Sequence, residues 1–206
     1  MAERSSLTQA IQIGVEITPG TGVVATKRLS ALGIEPSISV SNNVYRPTGS
    51  KFNAISALGK EWTQSAISGS ATYTELVYAM SSILGNGNVA NNANVYTWAF
   101  SPNPYTSDNV QTYTVEHGSS VRADKFLYGL FTEFSMQFSR DSITLGGSMM
   151  GRSLTDNIAL TPAANISSVP LVPVLPTQVT MYLDNEGGTF GATKLTRAIS
   201  AEWIVA

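Results

Sequence analysis

Glu133 and Asp141 are the two carboxylates best placed by sequence to act as a pair, since glycoside hydrolysis needs two such groups flanking one bond. The stretch that carries them argues against a meeting. Phe134, Met136 and Phe138 alternate with Glu133, Ser135, Gln137 and Ser139, which puts Glu133 on the polar face of a strand. Asp141 then falls in the turn before Ile143 and Leu145 restart the pattern. The single histidine, His117, precedes Gly118 and reads as a turn residue. An imidazole zinc site usually needs more than one such ligand, and a Ser-His-Asp triad needs an oriented ring. There is no Gly-x-Ser-x-Gly elbow, Walker A loop or dinucleotide fingerprint. With no cysteine there is no disulfide and no thiolate metal site. No catalytic, cofactor-binding or metal-ligating residue is therefore expected. Trp62, Trp98 and Tyr105 could stack on sugars. Arg122, Arg140 and Arg152 lie in or beside loops and could serve as inter-subunit donors or as ordinary surface arginines.

Composition narrows the function further. The chain has 206 residues, 43% of them apolar, enough for one domain with a real core. Charged residues make up only 13%, the net charge is −2, and the 12 basic residues are scattered. Sequence-independent nucleic-acid binding needs clustered Lys and Arg to release counterions, so it is not expected as the main activity. The abundant Ser, Thr, Asn, Gly and Ala suit a surface covered by copies of the same chain, or one that must pass a charged polymer without gripping it. An ordinary extracellular-type β domain would explain them nearly as well. The first residues lack the apolar stretch of a secretory signal. No apolar run approaches the roughly 18–20 residues that span a bilayer.

The elements that must position these residues are mostly strands. Ile11, Ile13 and Val15 alternate with polar neighbours. Thr18, Pro19, Gly20 and Gly22 are turn residues. Ile34, Ile38 and Val40 share one face and Glu35, Ser37 and Ser39 the other, with Pro36 marking an edge or bulge. Residues 41–52 read as a long polar loop. Further strands are expected at 55–58, 60–67 with Trp62 as an anchor, 95–100 and 110–116, with loops at 86–94 and 101–109. The only helix is expected at 73–84. Thr72 and Glu75 have capping-box spacing, Leu76, Val77, Met80, Ile83 and Leu84 form an apolar stripe, and Gly85 suits the position after the end. A hairpin spans 126–150. Residues 161–176 hold four prolines and read as a semi-rigid arm. Val179, Met181 and Leu183 read as a strand, Glu186 to Gly188 as a turn, and 195–206 as a last strand. The chain is expected to be a single mainly β domain, a β-sandwich or barrel wall with one flanking helix.

Five pieces then carry a resemblance. They are Gly-Val-Glu-Ile-Thr-Pro-Gly-Thr-Gly-Val-Val-Ala (14–25), Gly-Lys-Glu-Trp (59–62), Ser-Gly-Ser-Ala-Thr-Tyr-Thr-Glu-Leu-Val-Tyr-Ala-Met-Ser-Ser-Ile-Leu-Gly (68–85), Gly-Leu-Phe-Thr-Glu-Phe-Ser-Met (129–136), and Gly151. In this order the chain resembles the major tail tube proteins of long-tailed, non-contractile, siphovirus-type bacteriophages. The resemblance implies a virion structural protein with no cofactor and no membrane partner, assembled in the bacterial cytoplasm. Six subunits would form a ring, and rings would stack into a tube. The lumen would hold a tape measure protein and later pass double-stranded DNA, with tail terminator and tail-tip proteins at the ends. Glu133, Ser135, Gln137 and Thr144 would face that lumen. Lys27, Arg28, Arg46, Lys51, Pro170 and Pro173 would contact the next ring. Family members often run longer, so a continuation beyond Ala206 is expected. The alternatives are another tube or terminator protein of the same fold and, from a different class, a carbohydrate-binding β-sandwich.

Overall fold

The alternation of residues 129–151 folds as its period requires. Strands β8 (Ala123–Ser139) and β9 (Ile143–Gly151) pair antiparallel, with Met136 opposite Leu145 and Gln137 opposite Thr144. Phe134, Met136, Ile143 and Leu145 are buried, while Glu133, Gln137 and Thr144 are exposed. The computed structural model describes residues 9–93, 95–102, 105–106, 109–189, 191–195 and 200–205. Over these residues the chain is mainly β with one α-helix.

β8 organises the molecule because it holds strands on both sides. On one side lie β9 and then β10 (Thr155–Ile158). On the other, β7 (Tyr113–Gly118) pairs with its first half and β12 (Ser200–Val205) with its last residues. Beyond β7 come β1 (Ala10–Val15), β2 (Lys27–Leu29) and the short parallel β11 (Ser167–Ser168). Beyond β9 come β4 (Ile55–Ser70) and the edge strand β3 (Leu32–Tyr45). The core joins Ile13, Tyr113, Val115 and Phe126 from the first group to Ile34, Ile67, Phe131, Phe134 and Met149 from the second. Full burial of each such side chain is worth about 1.5–3 kcal/mol.

Between the end of β7 and the start of β12, β8 has no strand neighbour on that side among the described residues. Helix α1 (Tyr73–Ile83) fills the gap, and Ser82 Oγ accepts the Phe131 N–H at 3.0 Å. A buried backbone donor without a partner would cost about 1–3 kcal/mol. Thr72 caps the helix by accepting the Glu75 N–H, and Gly85 takes φ +84 just past its end. The face turned inward is broader than the expected stripe, of which Leu76 and Ile83 pack against the core. Glu75, Ala79, Ser81 and Ser82 are buried, whereas Leu76, Val77, Met80, Ile83 and Leu84 are only partly covered. The small residues Ala79, Ser81 and Ser82 are among the deepest of the helix, and Ser82 meets β8 directly.

Other expectations are corrected. Residues 41–45 are not loop: β3 runs to Tyr45, and the turn is confined to 46–54. The separate strands expected at 55–58 and 60–67 are one 16-residue strand. Pro36 does sit on an edge strand, and a register shift follows Val40. The loop at 86–94 holds β5 (Asn88–Asn92), which pairs with β6 (Val95–Ala99) as a separate exposed hairpin. The turn at 101–109 lies in part outside the described residues, as do 196–199 and 206 of the last strand. His117 is in β7, opposite Asp124, rather than in a turn. Val179, Met181 and Leu183 make no regular strand, only a Tyr182–Lys194 bridge flanked by backbone bonds from Leu183 to Thr193 and from Leu195 to Met181. The proline arm does not project. Ser167 and Ser168 extend the sheet, Val169 is buried, and Val174 N–H donates to Ala71 O.

Candidate functional site

Strand pairing extends the polar face of β8 and β9 across five strands. Partners in register share a face, so Glu202, Gln137, Thr144 and Ser70 form one row. The next rows are Ile204, Ser135, Gly146, Ser68 and Gly33, then Glu133, Ser148, Ala66 and Glu35. Met150, Gln64 and Ser37, followed by Trp62 and Ser39, complete the surface. At about 4.8 Å between strands, it is roughly 20 Å wide. Its charges are the carboxylates Glu35, Glu133 and Glu202. Lys60, two residues beyond Trp62 on the same face of β4, and Arg140, in the β8–β9 turn, stand at its margins. Hydroxyls and amides bond along and between strands: Gln137 Nε2 donates to Glu202 Oε1 at 3.2 Å and Ser37 Oγ to Gln64 O at 2.7 Å, while the Thr132 and Ser148 hydroxyls lie 2.8 Å apart.

The four residues expected to share an open polar face therefore do share one. Glu35 on β3, with Ser37 and Ser39, belongs to it as well; their alternation was visible, but not which sheet face they would join. Glu133 and Asp141 are not brought together. Six strand residues separate Glu133 from the end of β8, a distance of about 20 Å at 3.3 Å per residue, beyond the separation that glycoside hydrolysis uses.

The other face of the same sheet is apolar, and it outruns the core. Leu32 and Ile34 are buried, but Ile38 and Val40, expected on one face with Ile34, are exposed, as is Val44; Tyr45 and Ile55, paired with each other, are exposed on the opposite face. Leu58 and Phe52 are 82% and 80% exposed. The outer parts of β3 and β4 thus form a hairpin carrying unpartnered apolar residues past the body.

Arg46 and Lys51 lie in the turn at its tip, where Arg46 Nε donates to Ser50 O at 2.6 Å. Lys27 and Arg28 lie at the opposite end, just before β3 begins, and the 14 residues of β3 span about 45 Å. Pro170 and Pro173 belong with the latter pair. Val169 N–H donates to Arg28 O, Thr74 Oγ1 to Pro170 O, and Pro173 bridges to Thr72. The six residues expected at one kind of contact form two separate patches. Of the three loop arginines, Arg122 pairs with Asp156 within the chain, and Arg152 reaches Gly20 O and lies over the Tyr128 ring.

Compared with models of known protein families and with curated proteins, this chain matches none. Its functional reading rests on geometry and on the sequence pattern.

Three glutamates are buried; Glu16 and Glu116 were not singled out by sequence, and Glu75 only as a capping residue. Glu16 accepts from Gly20 N, Tyr128 N and the hydroxyls of Thr112 and Thr114, at 2.6–3.0 Å in all. Glu75 accepts from the backbone of Ser30, Ala31 and Leu32. Glu116 accepts from Thr161 N and Oγ1. Each ties a connection to the body, and the charge is met by donors instead of a cation. Among the described residues no His, Cys, Asp and Glu group could hold a metal, and no helix is long and apolar enough to cross a membrane. Of the aromatic residues considered for sugar stacking, Trp98 lines a cavity under β6, Trp62 lies on the polar face of β4, and Tyr105 is almost fully exposed.

Proposed function

We propose that this chain is a structural subunit of a bacteriophage tail tube, a virion protein that polymerises as stacked rings around a channel for double-stranded DNA. The observation that carries the reading is the five-stranded polar face, whose rows from Ser70 to Trp62 hold three carboxylates, with Lys60 beyond Trp62 and Arg140 in the β8–β9 turn as the cations at its margins. A wall that DNA must pass needs few cations, because each phosphate contact releases counterions and holds the polymer. Glu133, Ser135, Gln137 and Thr144 would line the lumen beside Glu35 and Glu202. Two further features support assembly. The sheet ends in the open edges β3 and β12, and open edges in stable proteins are paired or protected. The projecting hairpin exposes apolar residues, Ile38, Val40, Val44 and Leu58 on one face and Tyr45 and Ile55 on the other, and exposed apolar surface of this kind marks interaction sites. Its patch of Arg46 and Lys51 lies at the end of the molecule away from Lys27, Arg28 and the proline arm. Opposite ends are what head-to-tail stacking uses, since heterologous contacts propagate along an axis. Hexameric rings are the symmetry that the resemblance implies.

Sedimentation velocity over a concentration series tests this. Wild-type protein is expected to form species much larger than a single chain, and Leu58→Asp to remain a monomer with an unchanged fold. A monomeric wild type at every concentration, or a Leu58→Asp variant that assembles equally well, would remove the hairpin from the proposal.

A further inference from the structure

The largest cavity described is remote from the polar face. It has a volume of about 550 Å³ and lies between α1, the β5–β6 hairpin and the segment at Val169 and Pro170. That volume falls within the range of about 300–1,000 Å³ typical of small-molecule sites. Aromatic rings make its walls: Tyr73 and Tyr78 from α1, Tyr113 from β7, Tyr96 and Trp98 from β6. The rings are held in place. Tyr113 donates its hydroxyl to Tyr78 O at 2.9 Å and packs edge-on against Phe131, and Trp98 stacks on Phe100. Several polar groups of the lining already have partners. Gln111 Nε2 donates to Glu16 O and Thr112 O, and Thr74 Oγ1 to Pro170 O.

Lys27 is the one charged residue among those that line the cavity. Its ammonium donates to Ser167 Oγ at 2.8 Å, and an ammonium has three donors. The carboxylate of Glu75, on α1, is committed to the backbone of residues 30–32. We infer that this cavity is a binding site for a small, flat, largely apolar molecule carrying one anionic group (carboxylate, sulfonate or phosphate). The ring system lies between Trp98 and the tyrosines of α1, and the anion meets Lys27. The site is argued from the cavity's own geometry, and it shares Lys27 and Pro170 with the patch proposed above for stacking.

The test uses Trp62→Phe/Trp203→Phe protein, in which Trp98 is the sole tryptophan, titrated with 2-naphthalenesulfonate and with neutral 2-naphthylmethanol. Saturable one-to-one quenching of Trp98 is expected for both. The sulfonate should bind about tenfold more tightly, the size of one charge-assisted hydrogen bond. Lys27→Gln should erase that margin while leaving the alcohol unaffected; Lys27 is exposed, so the variant should retain the parent's melting temperature. Absence of saturable quenching, or an undiminished margin in Lys27→Gln, would overturn the inference.

Discussion

The polar faces of β7 and of the β8–β9 hairpin read alike in sequence and meet opposite fates. Thr112, Thr114 and Glu116 alternate with apolar neighbours just as Glu133, Ser135 and Gln137 do. The first set is buried and the second faces outward. The difference lies in what the rest of the chain brings to them. Glu16, folded back by the turn at Gly20 (φ +77), accepts both threonine hydroxyls, and Thr161 closes over Glu116. Nothing among the described residues covers the second set. Period two shows that a strand has two faces; it does not say which polar face is structural and which is left for a function. The structural face is recognised by saturation of its hydrogen bonds, and the open one by carboxylates and hydroxyls exposed in rows.

Substitutions can break this contrast, and the largest effect is expected at Glu16. Glu16→Ala strands two backbone N–H groups and two hydroxyls and should cost about 3–5 kcal/mol, read as a fall in the urea midpoint. An unchanged midpoint would mean that the buried face is not held by this carboxylate. Thr114→Val, which keeps the shape but loses the hydroxyl, should cost about 1–2 kcal/mol by the same measurement.

An alkaline titration probes the buried side differently. Burial, reinforced by neighbouring Tyr78, pushes the Tyr113 hydroxyl well above the usual tyrosine range, and burial with the nearby Glu75 charge raises Tyr78. A raised value in the folded chain means that the folded state holds the proton more tightly. The associated stability is complete below the unfolded value of about 10 and is lost as pH climbs above it. Absorbance at 295 nm should therefore show tyrosines that ionise only as the protein unfolds, and Tyr113→Phe should remove one of them. Normal titration of all eight tyrosines in folded protein would contradict that packing. At the small end, Gln137→Ala on the open face should change stability by less than about 0.5 kcal/mol. A larger loss would show that this face, too, is structural.

The same contrast explains what was legible. The helix announced itself through Thr72, Glu75 and Gly85, because capping is local chemistry. The β8–β9 hairpin did so because its apolar residues sit at strict period two. The outer part of β3 did not: Ser41, Asn42 and Asn43 have loop composition, and they are strand only because β4 pairs with them across 13 positions of the hairpin. Asn88–Asn92 is strand for the same reason, against poor intrinsic propensity. Glu75 was seen as half of a capping box, but its carboxylate turned across the fold to residues 30–32, a long-range choice that spacing cannot encode. The polar row could be assembled only once the order β12-β8-β9-β4-β3 put Glu202, Glu133 and Glu35 on one face.

Electron microscopy of the purified, concentrated protein, with a reconstruction of whatever assembles, tests the proposed function most directly. Uniform tubes of stacked rings, with Glu133, Gln137 and Thr144 on the channel wall, are expected. Protein that stays single and unassembled at every concentration, or tubes with this face turned to the outside or buried between subunits, would contradict it.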